Sequence, residues 1–138
     1  EPWQLIFEVT ECSNFCNPEQ ALHILSQLQK MGVRIAIDDF GTGYASYARL
    51  KSVDADILKI DGDFIRNIVN NSLDYQIVAS ICHLARMKKM LVVAEYVETE
   101  EIRSAVHALG IDYVQGYLIG RPAPLESLLE TEASCADA

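Results

Sequence analysis

Short apolar runs alternate along this chain with segments whose apolar positions recur every three or four residues. Leu5-Ile6-Phe7-Glu8-Val9 is the first run and is rich in β-favouring residues. Asn17-Pro18 then reads as a helix start, an Asn cap followed by proline at the first helical position. Ala21, Leu22, Leu25 and Leu28 fall on one face of that helix, and Gly32 closes it. A second strand is expected over 33–37, followed by the loop Asp39-Phe40-Gly41-Thr42-Gly43 and a short helical stretch through Tyr47 and Leu50. Ile57-Leu58-Lys59-Ile60 is the third strand. Residues 64–69 look helical, and Asn71 or Ser72 caps a longer helix that runs to Met87. Leu91-Val92-Val93-Ala94 reads as a buried strand of the parallel type. Thr99 caps a helix with Glu100 and Glu101 in its first turn, where the macrodipole favours acids, and Gly110 ends it. Asp112-Tyr113-Val114 forms the last strand. Pro122 and Pro124 bracket a loop before a terminal helix over 125–129, and residues 131–138 read as a flexible C-terminal tail.

Five apolar strands alternating with amphipathic helices predict an α/β fold, a parallel sheet covered by helices. On pattern alone, a doubly wound sheet and a (β/α)8 barrel both fit. With 138 residues, half of them apolar, the chain can bury one domain-sized core. It opens at Glu1-Pro2-Trp3 without an initiator Met and reads as a piece of something longer. No apolar run approaches the ~20 residues that span a bilayer, and no signal-peptide pattern stands at the N-terminus, so a cytoplasmic domain is expected. The net charge of -9 argues against DNA held by phosphate neutralisation. It leaves room for a phosphate ligand, because carboxylates can hold divalent cations that bind phosphate in turn. Cys12, Cys16, Cys82 and Cys135 lack the paired spacing of a zinc site and read as reduced thiols.

The positions of the polar residues carry the functional signal. Glu8 and Glu11 stand at or past the end of the first strand, Asp38 and Asp39 at the second, Lys59 and Asp61 at the third. Glu95 and Glu98 follow the fourth, and Gln115 follows the fifth. In parallel α/β folds the C-terminal ends of the strands share one face, where active sites are built. A lone acid there is explained by helix capping, but five strands ending alike point to one convergent site. Carboxylate and amide oxygens are hard ligands suited to Mg²⁺ or Mn²⁺. His23, His83 and His107 all fall within expected helices and read as surface or packing residues. Adjacent acids such as Asp38-Asp39 would suit two metals ~3.5–4 Å apart, the arrangement that clamps a phosphodiester and activates water. The Gly41-Thr42-Gly43 loop beside them reads as a mobile lid or switch.

Asp38-Asp39-Phe40-Gly41-Thr42-Gly43-Tyr44, Leu58-Lys59-Ile60-Asp61, Ala94-Glu95-Tyr96-Val97-Glu98-Thr99 and Gln115-Gly116-Tyr117 occur in the order and spacing of EAL domains. Phe7-Glu8-Val9-Thr10-Glu11 resembles that family's Glu-Leu-Thr-Glu strand. The resemblance covers the chain except its tail. It implies a partial (β/α)8 TIM-like barrel, with residues 1–130 as the C-terminal part of an EAL domain, about its last five strand-helix units. It also implies a metal-dependent phosphodiesterase that hydrolyses cyclic di-GMP to pGpG. Carried over, Glu8, Asp38, Asp39 and Glu95 would be metal ligands, with Asp38 bridging two Mg²⁺ or Mn²⁺ ions. Lys59 would orient or help activate the water, Glu95 would double as general base, and Gln115 would support the network. Glu11 would order the loop after Asp39, Glu98 would steady the metal ligands from behind, and Asp61, Gly41, Thr42 and Gly43 belong to the same surroundings. The loop and the helix after it lie in the region through which family members dimerise.

Two departures qualify these expectations. The Glu-Ala-Leu signature and an Asn ligand on a later strand are absent from this sequence, so the chain alone is expected to be inactive. The gap in the barrel is expected to be covered by a homodimer partner or another chain, with upstream sensor or GGDEF domains in the parent. Tyr96 stands where the family usually has Gly, which points to a constricted pocket or an altered backbone angle. The competing reading is a degenerate EAL domain that binds cyclic di-GMP or a protein and regulates an attached diguanylate cyclase. A third reading makes Lys59 a Schiff-base lysine, against which the dense ring of carboxylates argues.

Overall fold

The computed structural model describes residues 1–10, 17–41, 46–124 and 126–127. Glu11, Thr42, Gly43, most of the terminal helix expected over 125–129 and the tail 131–138 lie outside the described residues. The element order is β1 (Ile6–Thr10), α1 (Pro18–Lys30), β2 (Arg34–Phe40), α2 (Ser46–Ser52), β3 (Ile57–Ile60), α3 (Gly62–Arg66), α4 (Ser72–Met87), β4 (Leu91–Ala94), α5 (Glu100–Ala108) and β5 (Tyr113–Val114). A short 3-10 turn over Pro2–Gln4, unanticipated in the sequence, precedes β1.

All neighbouring strands pair in parallel, in the order β1-β2-β3-β4-β5. A doubly wound sheet reverses direction at a switch point, and this one never does. Successive right-handed crossovers in one direction keep the helices on one side of the sheet, which is the winding of a (β/α)8 barrel and here of part of one. The core forms between sheet and helices. Val9, Ile35, Ile37, Leu58, Ile60, Val92 and Ala94 belong to one buried cluster with Leu25, Val78, Ile81, Ala85 and Val106 from the helices. With a side-chain period of two, the alternate positions Glu8, Ala36, Asp38, Ile57, Lys59 and Val93 turn to the opposite face. β1 and β5 are the edges, and Leu5, Ile6, Phe7 and Tyr113 are exposed there.

The helices start where local chemistry directs them. Asn17 caps α1 by accepting from the Gln20 N–H at 3.1 Å, and Asn71, not Ser72, caps α4. Thr99 caps α5. Cations at the end of α4 reach both neighbouring helices: Arg86 donates to the carbonyls of Leu109 and Gly110 past α5, and Lys88 donates to those of Leu50 and Val53 at the end of α2. Two aspartates repeat one device at the N-terminal ends of the strands. Asp56, just before β3, accepts from the Ile35 N–H of β2 at 2.8 Å, and Asp112, just before β5, accepts from the Val92 N–H of β4 at 2.8 Å. Asp112 therefore stands outside the strand in which the sequence pattern had set it.

Two boundaries differ from expectation in ways that bear on the site. β2 does not stop at residue 37 but continues to Phe40, so Asp38 and Asp39 lie within the sheet and not in a loop. α3 begins at Gly62 and ends at Arg66, because Asp61 caps it by accepting from the Asp63 N–H at 2.8 Å.

Candidate active site

An uninterrupted strand sends adjacent side chains to opposite faces, so Asp38 and Asp39 would ordinarily point apart. The β2–β3 ladder prevents this. Ile37 pairs with Leu58 and Phe40 pairs with Ile60, so the two aspartates oppose the single residue Lys59. That is a β-bulge, and it bends the strand where it occurs. Asp39 sits at φ 54, in the left-handed region that few non-glycine residues occupy. After the bulge Phe40 rejoins the helix-side core and is buried. Both aspartates are thereby released toward the mouth of the sheet.

Lys59 occupies the centre. Its Nζ lies 3.0 Å from Glu8 Oε1, 2.8 Å from Asp38 Oδ1 and 2.8 Å from Glu95 Oε1. The ammonium thus joins carboxylates from β1, β2 and the residue after β4. Lys59 and Glu95 are buried, whereas 45% of the Glu8 side chain is exposed. Burial disfavours the charge on Lys59, but bonds to Asp38, Glu95 and Glu8 outweigh it and hold the proton on Nζ well above the ordinary lysine range. An amine so held is no Schiff-base nucleophile. Burial pushes the Glu95 carboxyl up; Lys59 offsets this only in part, and Asp38 and Asp39 add to it. Asp39 is raised by burial too, with Asp38 and Asp61 adding to the effect and Lys59 opposing it.

One oxygen each from Asp38, Asp39 and Glu95 lie within 4.8 Å of one another. Asp38 Oδ1 is buried, and its approach to Lys59 is an ion pair without the direction of a hydrogen bond. Four carboxylates (Glu8, Asp38, Asp39, Glu95) face one ammonium, an all-oxygen donor set with surplus negative charge. Those features fit a hard divalent cation.

A cavity of ≈ 280 Å³ opens beside this cluster, lined by Asp39, Glu95, Tyr96, Glu98, Gln115, Gly116 and Tyr117. Backbone pairing shapes it: the Glu95 N–H donates to Ile60, the Gln115 N–H to Ala94 and the Val97 N–H to Gln115. Gly116 is required where it stands, since a Cβ there would lie 2.2 Å from the Val97 carbonyl oxygen. Of the residues singled out in the sequence, Glu8, Asp38, Asp39, Lys59 and Glu95 come together, and Glu98 and Gln115 line the adjoining cavity. Asp61 is engaged as the α3 cap. Gly41, at φ 112, packs against Phe64 on the other side of the strand end and lines no part of this cavity. All three histidines are exposed on helices. Tyr117 was not assigned a part; its place directly after Gln115-Gly116 was the available signal. Arg66, whose guanidinium lies 4.0 Å above the Tyr96 ring, had none.

A sequence model of the EAL domain matches residues 1–122. The cyclic di-GMP phosphodiesterase PdeF of Escherichia coli K12 is 74% identical over 133 residues, which are 96% of this chain and 18% of that protein. Among solved structures, the PaMucR phosphodiesterase in complex with c-di-GMP aligns with TM-score 0.82 and 47% identity, covering 93% of this chain and 52% of that one. The manganese and cyclic di-GMP complex of Klebsiella pneumoniae BlrP1 aligns with TM-score 0.82 and 35% identity, covering 88% and 31%. The chain spans about a fifth of the length of the curated relatives it matches.

Proposed function

The chain belongs to the EAL domain family, and from that premise we propose that it carries part of the active site of a phosphodiesterase that hydrolyses cyclic di-GMP to pGpG. The observation that carries this reading is the Lys59 ammonium within 3.0 Å of carboxylates from three separate segments, opposite a bulge that adds Asp39. Relatives named as phosphodiesterases of this dinucleotide support the substrate.

Asp38, Asp39 and Glu95 are the residues that would hold a divalent cation, Mg²⁺ or Mn²⁺, with Glu8 beside them; the BlrP1 complex with manganese supports this choice. Bound divalent cations supply Lewis acidity toward a phosphoryl oxygen and a nucleophilic water at neutral pH. Lys59 keeps its proton, so it donates to water or phosphate and offsets phosphate charge. Glu95, whose carboxyl is shifted upward by burial, is the group suited to accept a proton from the attacking water. Gln115 and Glu98 line the cavity in which one nucleotide of the dinucleotide would lie while its ring is opened. The apolar edges at Leu5, Ile6, Phe7 and Tyr113 would be covered by further barrel strands or by another chain.

The test is hydrolysis of cyclic di-GMP by the full-length protein with Mg²⁺ or Mn²⁺, beside Glu95→Ala. Formation of pGpG that the substitution abolishes is the expected outcome. Tight binding without turnover in the unsubstituted protein would replace the enzyme by a nucleotide-sensing regulator.

A further inference from the structure

Tyr96 follows Glu95 directly and adopts φ 54, a backbone conformation unfavourable for a bulky side chain. Such strain persists only where the surroundings over-determine it, and it collects at ligand sites. Here the surroundings are explicit. The guanidinium of Arg66 lies over the ring with Cζ 4.0 Å from its centroid. Ring atoms Cδ2, Cγ and Cε2 stand 2.1 to 2.9 Å from where a Cβ on Gly62 would be, so the ring occupies space that any side chain at 62 would need. Arg66 and Gly62 are the two ends of α3, and together they hold the ring in one orientation.

Tyr96 is nevertheless 45% exposed and forms one wall of the ≈ 280 Å³ cavity beside Asp39 and Glu95. The cavity lies just below the roughly 300–1,000 Å³ of ligand pockets, room for one base and not for a whole dinucleotide. A hydrophobic core would have drawn the ring inward. Instead it is clamped at the surface of an otherwise acidic site, where it offers flat apolar area at little entropic cost because its rotamer is already fixed.

We infer that Tyr96 is a substrate-binding, specificity-determining residue, its clamped ring receiving the base or ribose of the nucleotide whose phosphate meets the Lys59 cluster. This rests on the phosphodiesterase reading above. The ring acts in recognition and not in the chemical step, so its loss falls on KM. Arg66 acts through Tyr96 as a positioning residue.

The experiment measures steady-state hydrolysis of cyclic di-GMP by the full-length protein and its Tyr96→Gly, Tyr96→Phe and Arg66→Ala forms, with melting temperatures alongside. Because stacking of a base on the ring is lost, Tyr96→Gly is expected to raise KM about ten-fold with far less effect on kcat. Tyr96→Phe should restore most of the affinity, and Arg66→Ala should give a smaller rise in KM. Wild-type KM in Tyr96→Gly, or a loss confined to kcat, overturns the assignment while leaving the phosphodiesterase reading intact. So does a KM rise that appears only in step with a falling melting temperature, for which Arg66→Ala, which leaves residue 96 itself unchanged, is the second reading. Absence of both binding and turnover in the wild type overturns the parent reading and this one with it.

Discussion

The Lys59 ammonium stands 2.8 Å from the Glu95 carboxylate, and no more than a tenth of either side chain meets solvent. The same ammonium is shared with Asp38 and Glu8. Burying one cation among several anions is tolerable only while every partner remains, because removing one leaves uncompensated charge in a medium of low polarity. Lys59→Met should therefore cost roughly 3 kcal/mol of stability in urea unfolding without divalent ions. Mn²⁺ should recover more stability in this variant than in the wild type, since a cation then takes over the neutralisation. Turnover should fall by about 10²–10³, the scale of losing one charge-stabilising donor. A variant no less stable than wild type would count against the shared ammonium.

The pH response follows from Glu95. Burial raises its carboxyl above the ordinary 4.5, Lys59 opposes this only in part, and Asp38 and Asp39 reinforce it. An acid that binds its proton more tightly when folded contributes stability at low pH and loses it as pH rises through the raised folded value. Glu95→Gln mimics the protonated form permanently. In chelator, its melting temperature minus that of wild type should accordingly grow as pH increases from below 4.5, then level off. With Mn²⁺ present the difference should shrink or change sign, because ionised Glu95 then has a cation to hold. A difference that is flat with pH in chelator would show that burial does not govern this group.

The bulge makes a separable prediction. Asp39 combines a carboxylate near Asp38 and Glu95 with φ 54. Left-handed backbone costs an ordinary residue about 1–2 kcal/mol and glycine almost nothing. Asp39→Gly should thus be more stable than Asp39→Ala by roughly 1 kcal/mol, while both lose most of the turnover. Equal stability of the two variants would mean that the backbone relaxes out of the bulge when the carboxylate is lost.

Much of the fold is written locally in this chain. Asn17-Pro18 announces α1, Thr99 with two acids announces α5, and Leu91 to Ala94 can be little else than a buried strand. The gathering of acids at strand ends was legible too, because in a parallel sheet chain position alone decides which end faces the mouth. The bulge was not. Its signature is that two residues of β2 oppose one of β3, a relation between strands that single-strand periodicity does not contain. The lone hint was Phe40, an apolar residue three places beyond the apparent strand end. Asp61 carries a second task that was equally hidden: besides acting on Asp39 it caps α3, and α3 starts two residues earlier than its apolar pattern suggests. The partnership of Tyr96, Gly62 and Arg66 joins residues 30 or more apart through tertiary contact, so no window along the chain reveals it.

That partnership can be measured. A Cβ at Gly62 would meet Tyr96 Cδ2 at 2.1 Å, so Gly62→Ala must displace the ring. Overpacking of this kind costs about 1–3 kcal/mol. In Tyr96→Gly the obstacle is gone, and adding Gly62→Ala should then cost far less. The double-mutant cycle in urea unfolding should yield a coupling of at least about 1 kcal/mol. Additive losses would place the ring elsewhere in solution.

Asp56 and Asp112 bind the second amides of β2 and β4 from the residue preceding the next strand. Each bond fixes how far one strand is slid against its neighbour. Slippage by a single residue would send Lys59 among the helices and bring Leu58 or Ile60 to the mouth, because alternate side chains take opposite faces. The alignment of the charged cluster is thus decided at the far end of the sheet, by two carboxylates that take no part in it. Those two positions act as the datum from which the chemistry is measured out, one strand length away.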